Sequence, residues 1–376
     1  MFRSHFLKLC LVGCLCVSNS LGYTQEKGGT ASNCEANVAN LDDLKARAAK
    51  GDPEAQVILG ELYAEGDGTT TYPVEAFRLW KLAAAQKYAP AFYHLGKAYS
   101  DGLGVAKDAA MAVNCWNVAA EMGDALSQTL LATAYATGEG APQDLALAVK
   151  WHRRAADQGD SISQFMLSGA YASGQGVAQN DTEAFQWCRK SAEQGFVEAQ
   201  NQLGFMYAKG QGVAKDLTEA CKWHRKAADQ GDSEAQDMLG LAYAEGQGVS
   251  KDLVEAAKWY RQAADLGNPI AQYHLAVAYA RGDGLKQNHR EAVTWYQRSA
   301  RQGFAESQYL LGMITFAGRG TPPDQVEGLK WVLIAIAQGH EKAELVRPQL
   351  EKDMSPEQLK DAANRAKPFK PKPESN

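Results

Sequence analysis

The sequence has 376 residues and, apart from its N-terminal segment, no apolar run long enough to cross a bilayer. It also has no excess of basic charge, since 39 Lys and Arg stand against 44 Asp and Glu, a net charge of −5. A general nucleic-acid binder needs a basic stripe that holds phosphates. We therefore expect no nucleic-acid partner and no transmembrane span in the mature chain.

Cysteine is scarce and irregularly placed. Three of the seven cysteines lie in the N-terminal segment, and the other four are Cys34, Cys115, Cys188 and Cys221. They form no CxxC motif and have no histidine pair at metal-binding spacing, which argues against a zinc site. Two interpretations remain open: small buried residues, or a disulfide between one pair in an exported protein.

The N-terminus has the pattern of an export signal. Basic Arg3 and Lys8 precede the apolar stretch 9–17, and small or polar residues follow. Such a short apolar stretch is typical of a cleavable signal peptide. We predict a signal over residues 1–22 with cleavage after Ser20 or Gly22, and a periplasmic or extracellular protein.

A second interpretation concerns Cys14. The run Leu11-Val12-Gly13-Cys14 resembles the lipobox of bacterial lipoproteins, although the apolar stretch before Cys14 is short. Lipidation there would give a membrane-anchored lipoprotein. The third alternative is that the segment is not cleaved.

The dominant feature is a Gly-x-Gly pair that recurs every 36 residues, eight times in register. A fixed period of this length indicates a repeat array, in which stacked units form one elongated body. The pairs are Gly66/Gly68, Gly102/Gly104, Gly138/Gly140, Gly174/Gly176, Gly210/Gly212, Gly246/Gly248, Gly282/Gly284 and Gly318/Gly320.

One unit contains two helical patterns joined by a glycine turn. In the clearest unit, apolar residues recur at helical spacing over 233–244 and again over 253–265. Asp232 predicts an N-cap, and Asp252 with Glu255 predicts a capping box. Gly246 predicts the end of the first helix, because glycine adopts the left-handed conformation without strain. Helix termination is our explanation for all the glycine pairs.

Recurring side chains predict the core of an all-α array. A leucine recurs in all eight first helices, a tyrosine recurs in the first seven of them, and a tryptophan recurs in the second helices. In the first two repeats the tryptophan is shifted by one place, to Trp80 and Trp116, so we expect different packing there. The recurring leucines are Leu59, Leu95, Leu131, Leu167, Leu203, Leu239, Leu275 and Leu311.

The period also divides the chain. After the signal we expect a disordered segment (23–40), an N-terminal capping half-repeat (41–50) and eight repeats (51–338). Capping helices (339–366) follow, because a terminal unit must turn a polar face to water. We expect a disordered or extended Lys/Pro tail over 367–376.

The residues of one repeat, A-x-x-x-L-G-x-x-Y-x-x-G-x-G-V-x-x-D-x-x-E-A-x-K-W-Y-x-x-A-A over 235–264, resemble the Sel-1-like repeat, a relative of the tetratricopeptide repeat. The resemblance covers about three quarters of the chain. It implies a right-handed α-solenoid of helix-turn-helix repeats with a concave, partner-binding surface. Members are mostly scaffolds and adaptors. A cysteine-rich branch with a disulfide in each repeat is associated with β-lactam binding, but the repeated cysteine pairs are missing here.

Positions that vary between repeats are where specificity can lie. If first helices line the concave face, as the resemblance implies, positions two before and two after the recurring leucine should face solvent. Aromatic side chains there can carry binding energy, and polar ones near the centre can bond a peptide. The candidate partner-binding residues are Tyr93, Phe165, Asn201, Phe205, Asp237, Tyr273 and Tyr309.

Two interpretations of these aromatics stay open. They wedge between neighbouring helices, or at least two of them bind a partner; both agree with aromatic burial. Our hypothesis is a groove for an extended or helical peptide, with Asn201 and Asp237 hydrogen-bonding it.

No pattern predicts catalysis. His152 and His224 occupy a position filled elsewhere by tyrosine, which favours packing beside the tryptophan over general-base use. The glycine pairs lack the setting of a phosphate loop.

We therefore expect a non-enzymatic scaffold or adaptor of the bacterial cell envelope that binds a protein or peptide and has no catalytic residue, metal or cofactor. The alternatives are an envelope hydrolase or β-lactam-binding protein, by family analogy, and a secreted binder of a host protein.

Overall fold

A computed structural model describes residues 32–66, 71–367 and 369–374. The predicted signal segment 1–22 and the lipidation candidate Cys14 lie outside these residues, as does Gly68 of the first glycine pair.

The described residues form nineteen helices and no strand. The first helices of the eight repeats are the even-numbered helices from α2 to α16, and the second helices are the odd-numbered helices from α3 to α17. In chain order the helices are α1 (Ser32–Ala49), α2 (Pro53–Glu65), α3 (Pro73–Ala85), α4 (Ala89–Asp101), α5 (Ala109–Glu121), α6 (Ala125–Thr137), α7 (Leu145–Asp157), α8 (Ser161–Ser173), α9 (Asp181–Glu193), α10 (Val197–Lys209), α11 (Leu217–Asp229), α12 (Ser233–Glu245), α13 (Leu253–Asp265), α14 (Pro269–Arg281), α15 (His289–Arg301), α16 (Ala305–Ala317), α17 (Gln325–Ala337), α18 (Glu341–Glu351) and α19 (Pro356–Ala366).

The chain falls into two units: unit 1 ends at Phe196 and unit 2 begins at Val197. Within each unit the two helices of a repeat pack together, and each repeat packs on the next. The pairs are antiparallel. In the first repeat Tyr72 N–H donates to Tyr63 C=O beside the turn (2.7 Å), while Gln86 reaches Gln56 at the opposite helix ends (3.1 Å). The expected all-α solenoid is confirmed.

Side-chain caps start the helices as the sequence predicts. Asp232 Oδ1 accepts the Ala235 N–H at 2.6 Å, and Asp252 accepts those of Val254 and Glu255. A free backbone N–H at a helix start is satisfied in this way. The Glu255 carboxylate does not complete a capping box, because it reaches forward to Lys258 at 3.0 Å.

The two glycines of each turn have different tasks. Gly246 has a φ of 74° and ends α12 in the left-handed conformation, and its N–H donates to Ala242 C=O at 2.8 Å. Gly284 also has a positive φ of 71°, and a Cβ there would overlap the carbonyl oxygen of Leu253. The second glycine therefore lets the turn approach the second helix of the preceding repeat, a contact that helix termination alone does not explain.

The core lies between the helices of each unit. All eight recurring leucines are buried. Small residues on the first helices admit large rings from the second: Tyr260 packs on Gly240, and Trp116 packs on Gly96. The shifted tryptophan thus takes the place of the tyrosine, and Cys115 takes the usual tryptophan position, so packing differs there as expected.

An arginine connects consecutive repeats. Arg225 of α11 donates to the Tyr243 hydroxyl at 2.7 Å, and its guanidinium lies 4.7 Å from the ring centroid of Trp259 in α13. Arg153 repeats the arrangement in unit 1, with Trp187 at 4.6 Å. Stacking on an indole and a shared hydrogen bond hold the second helices of these repeats against the next ones.

The N-terminal end differs from the expected boundary. Helix α1 begins at Ser32, inside the segment expected to be disordered, and continues to Ala49. At the other end α18 and α19 cap the last repeat, where Leu350 and Ala362 pack against Leu329. Residues 369–374 are extended, one of the two states expected for the tail, and they pack against Arg301 and Trp331.

Candidate functional site

The candidate partner-binding residues are divided between the units. They lie on first helices, either two residues before the recurring leucine or, for Phe205, two residues after it. Unit 1 contains Tyr93 in α4 and Phe165 in α8, and unit 2 contains Asn201 and Phe205 in α10, Asp237 in α12, Tyr273 in α14 and Tyr309 in α16.

Their exposure differs from the prediction. Tyr93, Asn201 and Asp237 are buried, with exposed fractions of 7%, 6% and 1%, so the expectation that they face solvent is wrong. The other four are half-buried. The reason is the close approach of side chains from the neighbouring helices, which a single repeat does not reveal.

Most of the candidate aromatics pack against a histidine. The Phe205 ring lies 4.9 Å from His224, Tyr273 lies 5.3 Å from His274, and Tyr309 stacks on His340 at 4.8 Å. In unit 1 Tyr93 meets His94 edge-on at 4.9 Å. Aromatic contacts at these distances favour a fixed ring orientation.

Hydrogen bonds orient the histidines of unit 2. Asp237 Oδ1 lies 2.7 Å from His274 Nδ1, and Glu306 Oε2 lies 2.7 Å from His340 Nε2. His274 and His340 keep 22% and 10% of their side-chain surface exposed, so both reach solvent. The carboxylates therefore hold two largely buried imidazoles beside Tyr273 and Tyr309.

Asn201 is also occupied by partners within the protein. Its Oδ1 lies 2.9 Å from His224 Nδ1, and its Nδ2 donates to Glu234 Oε2 at 3.1 Å. Burial lowers the pKa of His224 to about 4, so the imidazole is neutral at pH 7 and its Nδ1–H donates to Asn201. The hypothesis that Asn201 and Asp237 bond a peptide directly conflicts with these contacts.

A histidine and a serine that the sequence did not connect meet in unit 1. His152 Nδ1 lies 3.0 Å from Ser163 Oγ, which also lies 2.8 Å from the Thr129 hydroxyl. Ser163 has no exposed surface, and burial lowers the pKa of His152 to about 4. Because a substrate cannot reach a buried hydroxyl, this pair joins α6, α7 and α8 and does not form a nucleophilic site. The repeat register does not indicate this contact, because the equivalent His224 is hydrogen-bonded to Asn201 instead.

The positions two residues after the recurring leucine differ between the units. In unit 2 they carry the half-buried apolar side chains of Phe205, Leu241, Val277 and Met313, here called the apolar row. In unit 1 they carry Glu61, Lys97, Thr133 and Gly169, here called the polar row.

The polar row borders a cleft in unit 1. Its volume is about 330 Å³, and Lys97, Asp101, Lys107, Thr133 and Glu139 are among its lining residues. Charges of both signs surround it. Of these charged side chains only Lys97 lacks a counterpart in unit 2, where Leu241 takes its place, because Glu245, Lys251 and Asp283 match Asp101, Lys107 and Glu139.

Three cysteines have a structural role. Cys115, Cys188 and Cys221 are buried thiols. Burial raises the pKa of the Cys115 and Cys188 thiols to about 11 and about 12, so both are protonated and unreactive near pH 7. Within residues 32–66, 71–367 and 369–374, no group of His, Cys, Asp and Glu is arranged to hold a metal ion, and no helix could cross a membrane.

A protein-family model for the Sel1 repeat matches eight consecutive segments of the chain: 53–88, 89–124, 125–160, 161–196, 197–232, 233–268, 269–304 and 305–340. The chain belongs to the Sel1 repeat family. The matched segments begin two residues after the predicted repeats and have the same period. Proteins of this family are generally interaction scaffolds, and their fold is typically not enzymatic.

Two solved structures show what this Sel1 repeat protein is similar to. A Sel1 repeat protein from Oxalobacter formigenes is 30% identical with a TM-score of 0.64, and the match covers 83% of this chain and 91% of the other. The protein c5321, a protective antigen present in uropathogenic Escherichia coli strains, is 28% identical with a TM-score of 0.57, and the match covers 88% and 94%. A comparison with curated proteins gives no match.

Proposed function

We propose that this protein is a non-enzymatic scaffold that binds a peptide segment of a partner protein along the first helices of unit 2. The observation that supports it best is the apolar row, one half-buried apolar side chain in each of four consecutive repeats. Neighbouring packed helices lie about 8–10 Å apart. Four of them span roughly 25–30 Å, the length of about eight extended residues.

The aromatic residues beside this row supply the binding energy in the proposal. Tyr273 and Tyr309 are half-buried, and each has a histidine against one side. Large rings held in one orientation lose little entropy on binding, and such residues often dominate interfaces. Asp237 and Asn201 act as positioning residues, because each holds a histidine and does not face the ligand.

A swap between the units tests this proposal. Leu241 and Val277 in unit 2 occupy the repeat positions of Lys97 and Thr133 in unit 1. The variant Leu241→Lys/Val277→Thr gives unit 2 the unit 1 side chains, and the control Lys97→Leu/Thr133→Val makes the reverse change. Lysine can keep its stem on an apolar surface, so both variants should fold.

Immobilised protein is then incubated with an envelope extract, and retained proteins are identified by mass spectrometry. We expect the wild type and the unit 1 control to retain a common partner that the unit 2 variant loses. Equal retention by the unit 2 variant, at unchanged thermal stability, would contradict the proposal.

We further propose that the protein is exported to the periplasm or the cell exterior. The support is the basic, apolar and small-residue order within residues 1–22. The related c5321 is described as a protective antigen, which agrees with exposure outside the cell. N-terminal sequencing of the mature protein should begin at Leu21 or Tyr23. Release from the membrane by Cys14→Ser would instead show a lipid anchor.

A further inference from the structure

The chain's own tail lies across the second helices of unit 2 as an extended peptide. Lys372 N–H donates to the Arg301 carbonyl at 3.0 Å, as in the main-chain pairing of a bound peptide. Pro371 lies close to Gly303, in the turn between two repeats. Phe369 meets Trp331 of α17 edge-on, with ring centroids 5.7 Å apart. The tail therefore follows a specific path.

Phe369 occupies a place that an arginine occupies elsewhere. Arg261 covers Trp295 of the next repeat, with its guanidinium 5.0 Å from the ring. The residue at the same repeat position before Trp331 is Gln297, which cannot stack as a cation. Trp331 thus has no arginine of the preceding repeat on its ring, which instead contacts Phe369 and the Lys330 ammonium, 4.4 Å from the ring centroid.

The other anchor is the Glu374 carboxylate. Arg298 Nε and Nη2 each donate to it at 2.8 Å, and Gln272 Nε2 donates at 2.9 Å. Gln272 is fully buried and is fixed by bonds to Gln302 and to the Ala264 carbonyl. The Arg298 bonds lower the pKa of Glu374 below its usual range. Two parallel bonds from a guanidinium recognise a carboxylate specifically.

The donors also have contacts that do not involve the tail. The Arg298 guanidinium lies 4.4 Å from the ring centroid of Trp295, which limits its rotation. Unit 1 repeats this half of the arrangement: Arg154 lies 4.4 Å from Trp151, beside a Gln158–Gln128 bond of 2.8 Å. The tryptophan that matches Trp331 in unit 1 is Trp187, and Arg153 covers its ring where Phe369 would have to pack. Only the unit 2 surface combines both anchors among the residues described.

We propose that Gln272, Arg298, Gly303 and Trp331 form a second binding site, for an extended partner peptide that carries an aromatic side chain and a carboxylate at the spacing of Phe369 and Glu374. The tail is its tethered occupant and excludes the partner until it is displaced. This site lies mainly on second helices, so it does not depend on the apolar row. A tethered segment competes at an effective concentration of roughly millimolar.

Displacement can be tested in the full chain with a fluorescent peptide of residues 366–376. The variant Phe369→Ala/Glu374→Gln removes both anchors of the tail and leaves the site unchanged. We expect it to bind the peptide with a Kd at least about tenfold lower than the wild type, because the competitor is gone. Adding Arg298→Gln should abolish this binding. Adding Arg154→Gln, the matched unit 1 change, should not affect it.

Amide exchange of Lys372 reports whether the tail is docked. We expect slow exchange in the wild type and fast exchange in the double variant. The proposal is overturned if Lys372 exchanges fast in the wild type, or if the double variant with a released tail binds the peptide no better than the wild type. A wild-type dimer that the double variant does not form would also overturn it, since the occupant would then be a second copy of the tail.

Discussion

The first helices of unit 1 and unit 2 share their recurring leucines and turn glycines but differ in the side chains two positions after each leucine. Unit 1 carries the polar row beside a cleft bordered by charges, and unit 2 carries the apolar row beside Tyr273 and Tyr309. The difference shows that one 36-residue frame supports two surfaces. Residues that recur maintain the fold, and residues that vary between the units give their first helices different surfaces.

The largest effect should be the same in both units, because it concerns the shared core. Leu131 and Leu275 occupy one repeat position, and neither has exposed surface. Leu131→Ala and Leu275→Ala should each lower the free energy of unfolding by about 2–5 kcal/mol, since each removes buried methyl groups and leaves a cavity. Urea unfolding followed by circular dichroism measures both. A cost confined to one unit would show that the repeats do not share one packing scheme.

A pH dependence should also appear in both units. Burial holds the pKa of His152 and His224 at about 4 in the folded protein, below the 6.5 of a free imidazole. The unfolded chain therefore binds these protons first, and stability is lost as the pH falls from about 6.5 to about 4. Each histidine should account for roughly 3 kcal/mol of this loss.

The measurement is urea unfolding at pH 7.5 and pH 4.5 for the wild type and for the single variants His152→Gln and His224→Gln. Each variant should show a smaller stability difference between the two pH values. An unchanged difference in both variants would mean that the imidazoles are not buried as neutral groups.

A smaller effect should separate the units at the position two residues before the leucine. Asp237→Ala in unit 2 leaves His274 without its buried partner and should cost about 1–3 kcal/mol. Thr129→Val in unit 1 removes a neutral hydroxyl and should cost about 1 kcal/mol. Asp237→Asn can still bond His274 and serves as the control for shape. If Asp237→Ala is neutral while the protein stays folded, Asp237 does not position His274.

The repeat frame could be predicted from the sequence because its determinants are local. Helix α13 has the predicted bounds, and α12 extends one residue beyond them, since Asp caps and the Gly246 turn act within a few residues. The partners of Asp237 and Asn201 were missed, because they come from other helices. His274 lies 37 residues from Asp237 in sequence, close to one period, so the repeat register could have indicated that pair.

The docking of the tail could not be predicted from the sequence of the tail. Its Lys and Pro content predicts an extended or disordered segment. The docked tail contacts Arg298 and the buried Gln272, and Gln297 stands where arginine would continue the stacking pattern. Neither feature is visible in the tail itself. The second glycine of each turn is also explained only by the structure. A side chain at that position would overlap a backbone carbonyl of the preceding repeat.

Site-specific photocrosslinking tests most directly whether unit 2 carries the recognition surface. A photoreactive phenylalanine analogue is placed at Val277 in one sample and at the matching Thr133 in another, and both are illuminated in envelope extract. The account predicts a discrete crosslinked partner from position 277 and none from position 133. A partner crosslinked equally from both positions, or only from position 133, would contradict it.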